Sequence, residues 1–141
     1  KQGYDFSQAD CYQAKLSGAH LFNANLTNAS LMKADLSLAS LNCANLVNCN
    51  LLGARWSETK IENIKVGKRL IQEQKGITAS KSNAILEAND YFEQAEEIYR
   101  DLRKHAEKEG IFTLAGAFIR KELTMRRYQQ PKFSIKRFTS K

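Results

Sequence analysis

The chain reads ANLTNASLMKADLSLASLNCANL over residues 24–46, with a Leu at every fifth position. A small apolar residue, usually Ala, stands two positions before each large one, and this spacing extends over residues 4–66. Because an internal repeat decides the architecture of a chain, this spacing governs the rest of the interpretation. The large positions are Phe6, Cys11, Leu16, Leu21, Leu26, Leu31, Leu36, Leu41, Leu46, Leu51, Trp56, Ile61 and Val66.

A period of five residues fits neither a helix, whose face recurs every 3.6 residues, nor a strand, whose face recurs every 2. The chain must therefore turn a corner every five residues, with one large and one small apolar residue inside. Four such sides close a square coil of about twenty residues, and coils stack about 4.8 Å apart through backbone hydrogen bonds. The predicted fold is a β-solenoid, and its predicted core contains Leu16, Leu21, Leu26, Leu31, Leu36, Leu41, Leu46, Leu51, Ala24, Ala34 and Ala44.

The triplets Ala24-Asn25-Leu26, Ala34-Asp35-Leu36 and Ala44-Asn45-Leu46 resemble the A-(D/N)-L-x-x pattern of the pentapeptide-repeat family. The resemblance covers residues 4–66 and implies a right-handed quadrilateral β-helix. It does not identify a function, because one fold hosts many functions.

Both ends of the predicted rod need a cover, because terminal repeats otherwise expose apolar surface and free backbone edges. Near the end of the repeat Trp56 replaces Leu, which predicts that Trp56 belongs to the cap. Tyr4 and Phe6 are candidates for the same role at the start of the rod.

A helical region follows the repeat. Residues 67–83 mix charged residues with Gly and Ser, and we interpret them as a cap and connector with one helical turn. Apolar residues then recur at spacings of three and four, which predicts a helix that Gly110 ends. A second helix is predicted over residues 114–128. Because a short turn joins the two helices, residues 84–128 are predicted to form an antiparallel helical hairpin.

The predicted hairpin carries an aromatic stripe that it cannot bury by itself. A single helical pair buries too little surface to stand alone. We therefore expect the hairpin to pack on the end of the rod or on a second copy, which makes a homo-oligomer one candidate assembly. The stripe consists of Tyr91, Phe92, Tyr99 and Phe118.

The net charge of +7 is concentrated at the end of the chain. Residues 120–141 hold eight basic groups against the single Glu122, whereas residues 1–66 hold six basic and five acidic groups. The basic tail, residues 129–141, is predicted to contact an anionic membrane surface, with nucleic acid binding and a solvated end as alternatives. The candidate membrane or anion contacts are Arg126, Arg127, Lys132, Lys136 and Arg137.

The helical region also resembles the segment that follows the repeats in membrane-anchored, ion-channel-like pentapeptide-repeat proteins. Tyr99-Arg100-Asp101-Leu102-Arg103, Gly110 and the segment ending at Arg126-Arg127 carry this resemblance. It implies that a basic stretch leads into transmembrane helices, so that this chain is the cytosolic part of a membrane-anchored protein and a span follows Lys141.

Catalysis, metal binding and cofactor binding are not expected. His20 lies on an outward corner and His105 is assigned to the polar side of the first predicted helix, and neither accompanies a nucleophile or a second base. The three cysteines fall on the repeat grid and are interpreted as reduced, structural thiols. A solvated helix face is predicted for Glu93, Glu96, Glu97 and Asp101.

The sequence thus predicts a non-enzymatic scaffold for protein interaction or assembly, located in the cytoplasm on the cytosolic side of a membrane, with unknown protein partners. The alternatives are a soluble cytosolic adaptor and a DNA-mimicking protein that protects topoisomerases. The nearly balanced charge of residues 1–66 disfavours DNA mimicry, for which relatives in the family use an acidic rod.

Overall fold

A ladder of parallel bridges runs through the N-terminal half of the chain. The computed structural model describes residues 3–130. Within that range, nine isolated bridges join a residue to the one twenty positions later, from Asp5 with Asn25 to Asn45 with Lys65. Each bridge is confined to one residue per side, and the described residues contain no longer strand. Four five-residue sides therefore make one coil, and successive coils lie directly on one another.

Each coil turns its corners by the same device. The carbonyl of the large inward residue accepts the N–H three residues later, as Leu31 does from Ala34 at 3.0 Å. The residue just before that N–H has a positive φ, such as +62° at Asn28, which is the geometry of a type II turn. Asn favours this conformation more than most residues with a side chain, which explains its frequency at the corners.

The Asp or Asn between the two inward positions also stabilises the corner. Asp35 accepts the N–H of Ser37 at its Oδ1 at 3.0 Å, and Asn45 accepts the N–H of Val47 at 3.1 Å. These Asx turns hold the chain at the start of each bend. The A-(D/N)-L pattern therefore consists of one small inward residue, one side chain that accepts a backbone N–H at the corner, and one large inward residue.

The core of the rod is fully buried in its middle and partly exposed in its first coil. Leu31, Leu36 and Leu41 are fully buried. Of the residues predicted for the core, only Leu16 is partly exposed, because it lies in the first coil and the described residues include no coil beneath it. Tyr4 and Phe6 do not close that end, since they are 68% and 39% exposed.

Three helices follow the rod: α1 (Ile71–Lys81), α2 (Ile85–Lys108) and α3 (Phe112–Tyr128). Helix α1 occupies most of the segment predicted to be a connector with one helical turn, so that prediction was wrong. Gly76 lies where α1 meets α2, and a Cβ there would come within 2.6 Å of the Phe92 ring. The glycine weakens α1 as an isolated helix but permits this close packing.

Helices α2 and α3 run side by side in opposite directions. Glu96 near the middle of α2 contacts Gln129 just after α3, while Arg103 farther along α2 contacts Glu122 within α3. Gly110, with φ +76°, lies in the turn between them. Helix α1 packs against α2, so α2 contacts both of the other helices.

The five-residue register predicts a large difference between inward and outward substitutions. Leu31→Ala should lower the free energy of unfolding by about 2–5 kcal/mol, because it leaves a cavity in a closed core. Ser57→Ala, at an exposed position of the rod, should change it by less than about 0.5 kcal/mol. Urea denaturation followed by circular dichroism measures both values, and equal losses would contradict the register.

Candidate interaction surfaces

The helices close the C-terminal end of the rod. In the repeat, the carbonyl of each small inward residue accepts an N–H from the next coil, as Ala39 does from Lys60 at 3.0 Å. At the last coil this position is Thr59, which has no coil above it. The Nε2 of His105 lies 2.7 Å from the Thr59 carbonyl oxygen. Because a carbonyl only accepts, Nε2 carries the proton, and the imidazole takes the place of the missing backbone donor.

Further contacts attach the helices to the rod. Gln72 of α1 donates through Nε2 to the Asn50 side chain at 2.9 Å. Trp56, predicted to belong to the cap, is 6% exposed.

His105, which the sequence assigned to the polar side of its helix, is 6% exposed, so that assignment was wrong. Its position three residues after the buried Leu102 places it on the apolar stripe, and that spacing is the signal that could have identified it.

A buried carboxylate joins the three helices. Glu73 of α1 accepts the N–H of Leu70 at 3.0 Å and the hydroxyl of Tyr99 from α2 at the same oxygen. Its other oxygen accepts from Lys121 of α3 at 2.8 Å. Burial, followed by the hydrogen bond and charge of Glu73, raises the pKa of Tyr99, so the phenol remains a donor. One buried acid is thus satisfied by groups from each neighbouring element.

Ion pairs join α2 to α3. Glu96 is 7% exposed and accepts from Arg126 at 2.9 Å and from Gln129 at 2.7 Å. Glu122 is 3% exposed and accepts from Arg103 at 2.7 Å. The solvated face predicted around Glu96 is therefore partly an interhelical contact. Burial opposes the charge of Glu96, but hydrogen bonds from Gln129 and Arg126 and nearby guanidinium charges lower its pKa.

The candidate anion contacts divide into described and undescribed residues. Arg126 is 59% exposed at its side chain but is paired with Glu96, so its charge is largely neutralised locally. Arg127 is exposed and donates to the Thr124 hydroxyl at 3.2 Å. Lys132, Lys136 and Arg137 lie outside the described residues, as does the tail after Gln130.

The aromatic stripe is not available for self-association. Phe92, Tyr99 and Phe118 are 4%, 1% and 3% exposed within a single chain, and Tyr91 is half-buried. The expectation that the helical pair leaves this stripe under-buried was therefore wrong, because α1 packs against Phe92 and Tyr99, and Tyr99 and Phe118 contact each other across the pair. The geometry gives no support for a homo-oligomer formed through these aromatic residues.

Within the described residues, the first coil has an exposed apolar opening. A cavity of about 220 Å³ enters the first coil there, lined almost entirely by apolar groups. No hydrogen bond within residues 3–130 is made by the backbone N–H of Asp10, Lys15 or His20. The carbonyls of the same residues have no described partner either. The lining residues are Tyr4, Phe6, Cys11, Leu16, Ala19, His20, Leu21 and Leu26.

One lateral side of the rod carries an apolar column. We call it side 2, the side containing residues 8–12, 28–32 and 48–52. Its outward positions just after the large inward residue are Tyr12, Met32 and Leu52. Tyr12 is 49% exposed, and the other two are half-buried. The equivalent column on the next side is Ser17, Ser37 and Ser57.

The cysteines are free thiols in the structure. Burial raises the pKa of Cys49 to about 12, and its thiol donates to the Leu26 carbonyl at 2.8 Å. Burial, with a smaller effect of the Asp10 charge, also raises the pKa of Cys11. Residues 3–130 contain no cluster of three or more His, Cys, Asp or Glu side chains suited to a metal ion. No helix in that range is long and apolar enough to cross a membrane.

This geometry defines a β-solenoid of five-residue sides with a helical cap at its C-terminal end. The family model for pentapeptide repeats matches residues 5–42 as eight copies. This match confirms the resemblance of the repeat to pentapeptide-repeat proteins that was drawn from the sequence. The bridge of Asn45 with Lys65 shows that the same architecture continues beyond the matched residues.

Three solved structures that resemble this chain are pentapeptide-repeat proteins. One from the cyanobacterium Cyanothece 51142 is 34% identical, with 45% of this chain and 50% of that chain covered and a TM-score of 0.36. HetL from Nostoc sp. strain PCC 7120, a protein involved in heterocyst differentiation regulation, is 34% identical over 43% of this chain and 31% of its own, with a TM-score of 0.29. A protein of the Arabidopsis thaliana thylakoid lumen is 28% identical over 57% and 73%, with a TM-score of 0.28.

The chain thus spans half of the first of these structures and about a third of the second. Because all three TM-scores are below 0.5, the likeness to pentapeptide-repeat proteins rests on the match of residues 5–42. A comparison with curated proteins found no match.

The capping role of His105 predicts a specific loss of stability. His105→Ala leaves the Thr59 carbonyl buried without its donor, which should cost about 1–3 kcal/mol of unfolding free energy. His20→Ala removes the same side chain from an exposed position and should cost less than about 0.5 kcal/mol. Urea titrations at neutral pH and low protein concentration compare the two, and equal effects would contradict the capping role.

The lowered pKa of Glu96 predicts acid sensitivity. A carboxylate with a depressed pKa in the folded state stabilises the fold above its unfolded pKa of about 4.3, and this contribution is lost as pH falls through the folded value. Glu96→Gln should therefore flatten the decline in unfolding free energy between pH 7 and about pH 3. Glu93→Gln, at an exposed position of the same helix, should leave the decline unchanged. Identical profiles for both variants would overturn the assignment.

Proposed function

We propose that this chain is a non-enzymatic interaction scaffold whose rod presents side 2 to a protein partner. The supporting observation is the column of Tyr12, Met32 and Leu52, of which Leu52 packs partly against the core while Tyr12 and Met32 do not. Pentapeptide-repeat proteins commonly serve in interaction or scaffolding, which agrees with this role.

The column suits a protein surface in its chemistry. Tyr and Met are enriched at protein interfaces, where an apolar centre is surrounded by polar groups. Beside the column lie the outward side chains of Asp10, Ser30 and Asn50 on the same side. Coils stack about 4.8 Å apart, so the three apolar side chains form a continuous strip about 10 Å long. The expected partner contributes an apolar segment that lies along this strip.

Charge substitutions on two sides of the rod test this function. Tyr12→Lys with Met32→Lys should abolish the binding of partners captured by the wild-type chain. Ser17→Lys with Ser57→Lys introduces the same charge on the neighbouring side and should leave that binding intact. Thermal unfolding of both double variants establishes that the rod remains folded. If quantitative affinity capture shows equal losses, or none, for the two sides, side 2 is not the binding surface.

We further propose that the chain lies on the cytosolic side of a membrane, with the exposed face of α3 toward the lipid. Arg120 and Arg127 are exposed on α3, and Leu123, which shares their helix face, is 42% exposed. Basic groups beside an apolar residue suit an anionic lipid surface, where each Lys or Arg near the surface contributes about 1 kcal/mol.

Vesicle sedimentation tests the membrane proposal separately. The chain should co-sediment with vesicles containing phosphatidylserine, less so with purely phosphatidylcholine vesicles, and less so in high salt. Arg120→Glu with Arg127→Glu should weaken sedimentation, whereas Lys104→Glu with Lys108→Glu, exposed positions of α2, should weaken it less. Binding that ignores lipid charge would contradict the proposal.

A further inference from the structure

We propose that side 2 binds an acidic amphipathic helix that lies parallel to the axis of the rod, with its C-terminal end toward the helical cap. The proposed function of side 2 is the basis for this partner, whose class it leaves open. Three observations support the helix: the spacing of the apolar column, the cations that border it and the difference in charge between its two ends.

The apolar column repeats at a distance that a helix matches. Tyr12, Met32 and Leu52 lie in successive coils, so the column spans about 9.6 Å in two steps of about 4.8 Å. A helix rises about 1.5 Å per residue, so side chains at i, i+3 and i+7 lie on one face at about 0, 4.5 and 10.5 Å. Each apolar side chain of such a helix therefore meets one side chain of the column.

An extended segment does not match the same column. Residues on one face of a strand are two positions apart, at about 6.6 to 6.8 Å, so the third of them falls about 4 Å beyond Leu52. A segment that crosses the rod at a right angle places its own row of side chains on one coil instead of along the column. The spacing therefore favours a helix along the axis over both other arrangements.

A lysine borders the column on one edge. A Cβ built at Gly53 would lie 3.1 Å from Cγ of Lys33, so the stem of Lys33 runs along the rod beside Leu52. The Lys33 side chain is exposed, and none of the ion pairs within residues 3–130 includes it. Its ammonium group is therefore available to a carboxylate on the flank of a bound helix.

Two further cations lie where the column meets the cap. Gln72 of α1 bonds to Asn50 of side 2, so the segment leading into α1 crosses the last coil near this side. Lys68 and Arg69 in that segment are exposed, and neither belongs to an ion pair in the described part of the chain. Side 2 itself carries one carboxylate, that of Asp10. An acidic partner therefore complements the charge around the column.

The two ends of side 2 differ in charge. Asp10 is exposed in the first coil, whereas Lys68 and Arg69 lie beyond the third. A helix has a partial positive charge at its N-terminal end and a partial negative charge at its C-terminal end. The complementary orientation therefore places the N-terminal end of the bound helix at Asp10 and its C-terminal end at the cap.

The size of the strip predicts weak binding. A helix on three apolar side chains contacts far fewer than the 20–30 residues per partner, roughly, of a standard interface. We therefore expect a dissociation constant in the micromolar range or above, which increases further in high salt because part of the attraction is between exposed charges.

Selection from a display library tests the class of partner. Random peptides of about 16 residues, enough for about four helical turns, are selected on the wild-type chain after removal of those that bind the Tyr12→Lys, Met32→Lys double variant. Enriched peptides should carry apolar residues at i, i+3 or i+4, and i+7, with Asp or Glu on the flanks, and should gain helical circular dichroism on binding. Enrichment of alternating apolar residues, of basic peptides or of none would overturn the proposal.

A synthetic copy of the most enriched peptide tests the charges and the orientation. In fluorescence anisotropy, Lys68→Glu with Arg69→Glu should weaken its binding by about tenfold or more. Lys104→Glu with Lys108→Glu, at exposed positions of α2, should change it by less than about twofold. Amidation of the peptide's C-terminal carboxylate should weaken binding to the wild-type chain but not to the Lys68→Glu, Arg69→Glu variant. Equal effects of the two double substitutions, or no effect of the amide, would overturn the proposal.

Together with partner capture, these measurements separate the class of partner from the binding surface. If Tyr12→Lys with Met32→Lys abolishes partner capture but the selected peptides are extended or basic, side 2 is the binding surface and the helix is the wrong partner. If capture is unaffected and no peptide is enriched, both proposals are wrong.

Discussion

The hydrogen bonds between successive coils are the interaction on which the rest of the structure depends. They pair each residue with a residue twenty positions away, and this distance holds only if every side has five residues and every corner bends alike. The corners in turn require a positive φ, which the chain adopts even at Leu38 and Lys33. Burial of Leu and Ala columns stabilises the stack, but the backbone ladder decides which residues face inward.

The same hydrogen bonds give the rod a direction. At the C-terminal end, the carbonyls of the small inward residues point along the rod axis toward the helices. His105 supplies a donor to one of them. At the N-terminal end, the edge residues present both donors and acceptors over an apolar opening. The backbone groups at the two ends therefore belong to different positions of the repeat. At the C-terminal end, helices that carry a buried imidazole cover these groups.

The sequence predicts the rod well because its period is simple and its core residues repeat without interruption. It predicts the helical region less well. Helix α1 contains Gly76 and buries Gln72 and Glu73, so it has no apolar stripe to reveal it. His105 and Glu96 also look like surface residues until their partners are placed beside them. His105 contacts Thr59 and Glu96 contacts Arg126, and each partner is distant in the sequence from the residue that it contacts. No local sequence pattern indicates such a contact.

The four-sided coil also limits how the length of this chain can change. Inserting one repeat of five residues would leave every inward residue inward, yet it would turn all preceding sides by a quarter of a circle relative to the helical cap. The apolar column on side 2 would then be split between two neighbouring sides. An insertion of twenty residues would keep each column in line and lengthen the rod by one layer. Surfaces that span several coils therefore tolerate growth by whole layers, whereas core stability alone tolerates growth by single sides.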